Sequence, residues 1–115
     1  MLEDRVRQVL INLAKASTPI TYKALADQLE LVPPRTIQRV ARALEDLMVE
    51  DAMAGRPLLA ALCVRRQPMT TPARGFFIAA KALGLFSGSP DGQDARDFHE
   101  REYARAIAYY GRSDA

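Results

Sequence analysis

Between Pro33-Pro34 and Gly55-Arg56-Pro57 the chain carries Ile37, Val40, Ala41, Leu44, Leu47 and Met48 at steps of three and four, and no other feature constrains the fold as strongly. Apolar residues at that spacing fall on one side of an α-helix and have to be covered by something else. Pro34 suits the first helical position, where the missing amide proton would have no partner anyway. Gly55-Arg56-Pro57 ends the segment. The predicted helix therefore runs from Pro34 to about Asp51, with Ile37, Val40, Leu44 and Met48 turned inward. At about 100° per residue, Arg35, Arg39 and Arg42 point away from that stripe and share one solvent face with Gln38 beside them.

Two helices are expected before it. Leu2, Val6, Val9, Leu10 and Leu13 form one stripe over residues 2 to 16, and Ser17-Thr18-Pro19 stops it. After a short extended piece from Pro19 to Thr21, the Thr21 hydroxyl is placed to cap a second helix. That helix carries Leu25, Ala26 and Leu29 and ends near Glu30. Two short helices joined by a tight connection, the second with a basic face, follow the helix-turn-helix plan in which the second helix meets DNA. The first helix would brace them.

Net charge is +2, too small by itself to indicate a nucleic-acid partner. Its distribution says more. Residues 31–90 hold eight bases (Arg35, Arg39, Arg42, Arg56, Arg65, Arg66, Arg74, Lys81) and four acids (Glu45, Asp46, Glu50, Asp51), and no acid occurs from Ala52 to Pro90. Segregation of this kind implies one positive face. The longest apolar stretch, Pro57 to Val64, is far shorter than the roughly 20 residues of a membrane helix, and the lone Cys63 has no internal disulfide partner, so a cytoplasmic location is expected.

Further along, Leu58 to Val64 reads as a buried strand with Arg65 and Arg66 at its exit, where a wing would lie. Residues 67 to 73, with Pro68 and Pro72, read as a loop. Phe76, Phe77, Ala80 and Leu83 then suggest a fourth helix closed by Gly84. Ser87 to Gly92 is a turn, and a last helix from about Asp94 to Tyr110 places His99, Tyr103, Ala106, Ile107 and Tyr110 on one side. The expected fold is mainly α (α+β), a winged helix-turn-helix-like domain in one unit over residues 1–115. Residues 20–66 form the helix-turn-helix and strand core, and 67–115 a helical C-terminal extension. The last helix either covers the core or pairs with a second copy of the chain.

Over about residues 20–66 the sequence resembles the alkylguanine DNA alkyltransferases and their non-catalytic alkyltransferase-like relatives. "ITYKALADQL" is similar to the family's Thr-Tyr-Gly-x-Leu-Ala opening, and "IQRVARAL" to its Arg-Ala-Val-Gly-x-Ala-Leu recognition helix. The resemblance implies a winged-helix unit that approaches DNA through the minor groove and flips a damaged base, with Tyr22 near the phosphate of the flipped nucleotide. Two positions depart from the pattern. Gln38, followed by Arg39, stands where the family has the arginine that fills the vacated stack. Leu62-Cys63-Val64-Arg65 stands where the family has Pro-Cys-His-Arg, so the histidine is missing.

A thiol needs a neighbouring base or cation to become a strong nucleophile, and Val64 is neither. Cys63 is accordingly expected in the core rather than in catalysis. His99 is the single histidine and is expected at an interface or facing solvent, not in a zinc site or a relay, and no cofactor or metal is implied. The functional expectation is a non-catalytic DNA-binding protein, either a small transcription regulator or a damage binder of the alkyltransferase-like kind. Arg35, Gln38, Arg39 and Arg42 would meet duplex DNA, flanked by Tyr22, Arg65 and Arg66. The alternatives are a protein-interaction module on the same scaffold and a cysteine-dependent alkyltransferase acting through Cys63.

Overall fold

The computed structural model describes residues 1–66 and 71–112. The part of the expected loop that contains Pro68 therefore lies outside the described residues. The chain runs α1 (Leu2–Lys15), β1 (Ile20–Thr21), α2 (Tyr22–Gln28), α3 (Thr36–Met53), a 3-10 turn (Leu59–Leu62), β2 (Cys63–Val64), α4 (Arg74–Ala82) and α5 (Gln93–Tyr110). It is mainly helical.

Local chemistry explains the helix boundaries. In α1, Glu3 and Asp4 occupy the first turn and Lys15 the last, the arrangement that complements the helix dipole. Thr21 caps α2, its hydroxyl accepting from the Ala24 amide at 3.1 Å. Each of the first four helices ends in a left-handed residue whose successor folds its amide back onto the last turn: Thr18 N to Leu13 O (3.0 Å), Leu31 N to Ala26 O (3.2 Å), Arg56 N to Asp51 O (2.8 Å) and Leu85 N to Ala80 O (2.9 Å). Gly55 (φ 71°) and Gly84 (φ 76°) adopt that conformation without a Cβ clash, whereas Ser17 (φ 51°) and Glu30 (φ 56°) do so with a side chain.

Two expectations about α3 are corrected. Arg35, not Pro34, borders the helix, because Arg35 sits at φ 62° in the left-handed region and the right-handed helix begins at Thr36. The shortened start leaves Ile37 in the first turn, past the edge of the core, and 44% exposed instead of buried. The remainder of the stripe behaves as expected: Val40, Leu44, Leu47 and Met48 are buried.

The expected strand over Leu58 to Val64 is also corrected. Leu59–Leu62 forms a 3-10 turn and only Cys63–Val64 is extended, paired in parallel with β1 in the register Ile20 to Cys63 and Thr21 to Val64. Side chains supply the reason. Glu102 Oε1 accepts the Leu58 amide at 3.1 Å and Asp51 Oδ2 accepts the Leu59 amide at 3.2 Å, so these donors have partners without a neighbouring strand. Among the described residues the sheet has these two strands alone, with no hairpin wing.

A single buried cluster draws on every helix, from Val6 and Leu10 of α1 through Leu25 of α2, Leu47 of α3 and Phe77 of α4 to Ala106 of α5, with the 3-10 turn inside it. α1 packs on α3, on α5 and on the turn. α5 lies over the turn with Phe98, His99 and Tyr110 buried, and the Tyr110 hydroxyl donates to the Pro57 carbonyl at 2.8 Å. The C-terminal helix thus covers the core. No helix among the described residues is long and apolar enough to cross a membrane.

Candidate nucleic-acid interface

The stripe that buries Val40, Leu44 and Leu47 fixes the rotation of α3 about its axis, and the opposite side is left to solvent. Arg35, Gln38, Arg39 and Arg42 are all exposed there and line one shallow depression of about 330 Å³, edged by Leu2, Glu3 and Ala43. Arg39 donates to the Val32 carbonyl at 3.2 Å, which holds its guanidinium over the loop that enters α3. Arg42 approaches Asp46 at 3.8 Å one turn on; both side chains are well exposed, and such pairs contribute about 0–1 kcal/mol. The arginines therefore keep most of their donors for a partner. Val32, 72% exposed, and Ile37 add apolar surface at the same end of α3.

The other expected contacts lie apart from this face. Tyr22 is half-buried and lines a small cavity with Ala41, Leu44 and Glu45 of α3. Its hydroxyl oxygen accepts from the Ala73 amide at 3.0 Å, tying the start of α2 to the residue that precedes α4. Burial, reinforced by the nearby Cys63, holds its phenol well above the ordinary tyrosine range. Arg65 bonds to Thr71 twice, amide to carbonyl and guanidinium to hydroxyl, each at 2.9 Å, and belongs to a different cavity. Arg66 is exposed. The structure therefore brings together Arg35, Gln38, Arg39 and Arg42, and not Tyr22 or Arg65 with them.

Cys63 is fully buried, and burial alone pushes its thiol far up from the ordinary range, which disfavours the thiolate. His99 is buried on the inner face of α5 rather than facing solvent: its Nε2 lies 2.9 Å from the Ala61 carbonyl, which can only accept, so Nε2 carries the proton. Phe76 stands edge-on to this ring, and burial lowers the pKa of His99. The cavity beside Tyr22, lined also by Met48, Ala60, Gly75 and Phe76, measures about 30 Å³. That is room for a water or so, not for a nucleobase.

Two buried carboxylates were missed by reading charge along the chain. Asp51 is fully buried and accepts from Arg7 Nη1 (2.9 Å), Arg56 Nε (3.1 Å) and the Leu59 amide. Glu102 is buried between α5 and the residues that open the 3-10 turn, and pairs with Arg105. Both lie on apolar stripes, Asp51 after Leu44, Leu47 and Met48, and Glu102 between Phe98 and Ala106. An acid at a core-facing position was the available signal. Compared with protein-family models, curated proteins and solved structures, the chain matches none.

Proposed function

We propose that this chain binds duplex DNA through the exposed face of α3 and does so without catalysing a reaction. The observation that carries the reading is the grouping of Arg35, Gln38, Arg39 and Arg42 on one surface, opposite the buried stripe of the second helix of the α2–α3 pair. Guanidinium groups bond phosphate or guanine edges in pairs, and Gln suits adenine. Under this proposal α2 and α3 form a helix-turn-helix braced by α1, with the exit of β2 in the position of a wing. Arg66, exposed beyond β2, serves as a flanking contact.

The buried, proton-retaining Cys63 argues against alkyl transfer, and the small cavity beside Tyr22 favours ordinary duplex binding over capture of a flipped base. Fluorescence anisotropy with plain and alkylguanine duplexes over a salt series tests the proposal. Three or four phosphate contacts give a log-log slope of roughly −3 to −4, at about 0.9 per neutralised phosphate. Equal affinity for the two duplexes is expected. No binding at about 50 mM salt would reject the reading.

A second reading, a protein-interaction module, is favoured by Val32 and Ile37, exposed apolar residues at the N-terminal end of α3. A partner retained at high salt and lost on Ile37→Glu would support it.

A further inference from the structure

Arg65, Arg74 and Arg96 come from three different elements, the exit of β2, the first residue of α4 and the first turn of α5, yet line one cavity of about 260 Å³. Asp91 is the one carboxylate among its lining residues, so the formal charge of the wall is 3 − 1 = +2. The Arg74 Nε to Asp91 Oδ2 contact is 3.3 Å, with both side chains more than half exposed, and a pair of this kind yields readily to a competing anion. Arg65 is fixed by the buried Thr71, and Arg96 donates to Gln93 Oε1 at 2.9 Å. Each guanidinium has five donors, and among the described residues these single side-chain contacts occupy a minority of them.

The rest of the wall suits an anion with an organic substituent. Phe77 and Ala95 are buried and apolar. Gly92 opens α5 on the cavity, and neither α4 nor α5 has a side-chain hydrogen bond at its N-terminus, so first-turn amides add to the positive potential. Three like charges held together at a cavity repel unless an anion joins them.

We infer that this cavity binds the phosphate monoester dianion of a small molecule, with Arg74 and Arg96 gripping the phosphate from the two helix starts and Arg65 closing the third side. A dianion matches the +2 wall, and planar guanidinium groups bond phosphate oxygens in pairs. The cavity shares no lining residue with the depression formed by Arg35, Gln38, Arg39 and Arg42, so the inference stands independently of DNA binding. A phosphodiester in a nucleic-acid backbone carries one charge, half of what the +2 wall can neutralise.

The test is a proton–nitrogen NMR titration of the full chain with phenyl phosphate, followed at the Thr71, Gly92 and Gln93 amides. Saturable shifts with a dissociation constant of about 1 mM or tighter are expected. Arg96→Gln should weaken binding about tenfold while the remaining spectrum stays native, and Arg96→Lys should recover part of the loss. Affinity should fall as pH drops through about 6, where the monoester dianion takes up a proton and becomes a monoanion. Dimethyl phosphate, which has a single charge, should bind about tenfold more weakly. Unmoved amides, an Arg96→Gln variant that binds as wild type, or duplex DNA that competes with phenyl phosphate for these amides would overturn the inference.

Discussion

Arginine does opposite work on the two sides of α3. At its C-terminal end Arg7 and Arg56 converge on Asp51, whose side chain has no solvent exposure, and that carboxylate also holds the Leu59 amide. On its outer face Arg35, Arg39 and Arg42 meet one distant carboxylate at 3.8 Å and one backbone carbonyl. The same charge, in the first place, is spent inside the fold; in the second it is left for a partner. Counting bases along the chain merges the two, because Arg56 and Arg42 look alike in sequence.

The largest expected effect falls on the buried side. Asp51→Ala leaves the Leu59 amide and the Arg56 guanidinium without their acceptor while Arg7 keeps Glu50, so the loss falls at the lower end of the roughly 3–5 kcal/mol that breaking a buried pair costs. Urea unfolding should show this loss as a lower midpoint. A midpoint close to wild type would mean that water substitutes for the carboxylate and that the two arginine groups do not differ as described. Glu102→Ala should cost less, about 1–3 kcal/mol, since it deprives the buried Leu58 amide of its acceptor and leaves exposed Arg105 to solvent. Thermal or urea melts would rank the two.

The acid side of the stability profile gives a smaller effect. His99 has its pKa lowered by burial, so the unfolded chain takes up this proton before the folded one does. Stability from the neutral ring is fully present above about pH 6.5 and is lost as pH falls through the depressed folded value. His99→Phe should flatten unfolding free energy against pH in that window. An unchanged profile would show that His99 does not carry the dependence.

What the sequence made legible follows from how local each cause is. The stripes of α1 and α5, the α3 stripe from Val40 onward, the Thr21 cap and the Gly55 and Gly84 helix ends depend on residues within a few positions of one another, and all are found. The shortened start of α3 was not legible, because nothing in Pro34-Arg35-Thr36 marks a left-handed arginine, and Ile37 went to solvent with it. The 3-10 turn reads as strand in the sequence because an unbroken apolar run has no period, and the carboxylates that satisfy the Leu59 and Leu58 amides come from 8 and 44 residues away. At the candidate interface, the arginine face was legible from angle alone. The cavity uniting Arg65, Arg74 and Arg96 was not, since their convergence depends on how β2, α4 and α5 end beside each other.

The smallest expected effect on folding belongs to the outer face, and there the central claim is most exposed. Arg39 and Arg42 are exposed positions away from caps and cores, where substitutions usually change stability within about 0.5 kcal/mol each, and the Arg35 side chain at the helix border makes no capping hydrogen bond, so the triple variant Arg35→Ala, Arg39→Ala, Arg42→Ala should melt nearly as wild type does. Its duplex affinity, measured by anisotropy across a salt series, should fall sharply, and the slope should flatten by about one unit for each phosphate contact removed. A folded triple variant that binds duplex DNA with the wild-type affinity and slope would contradict the account.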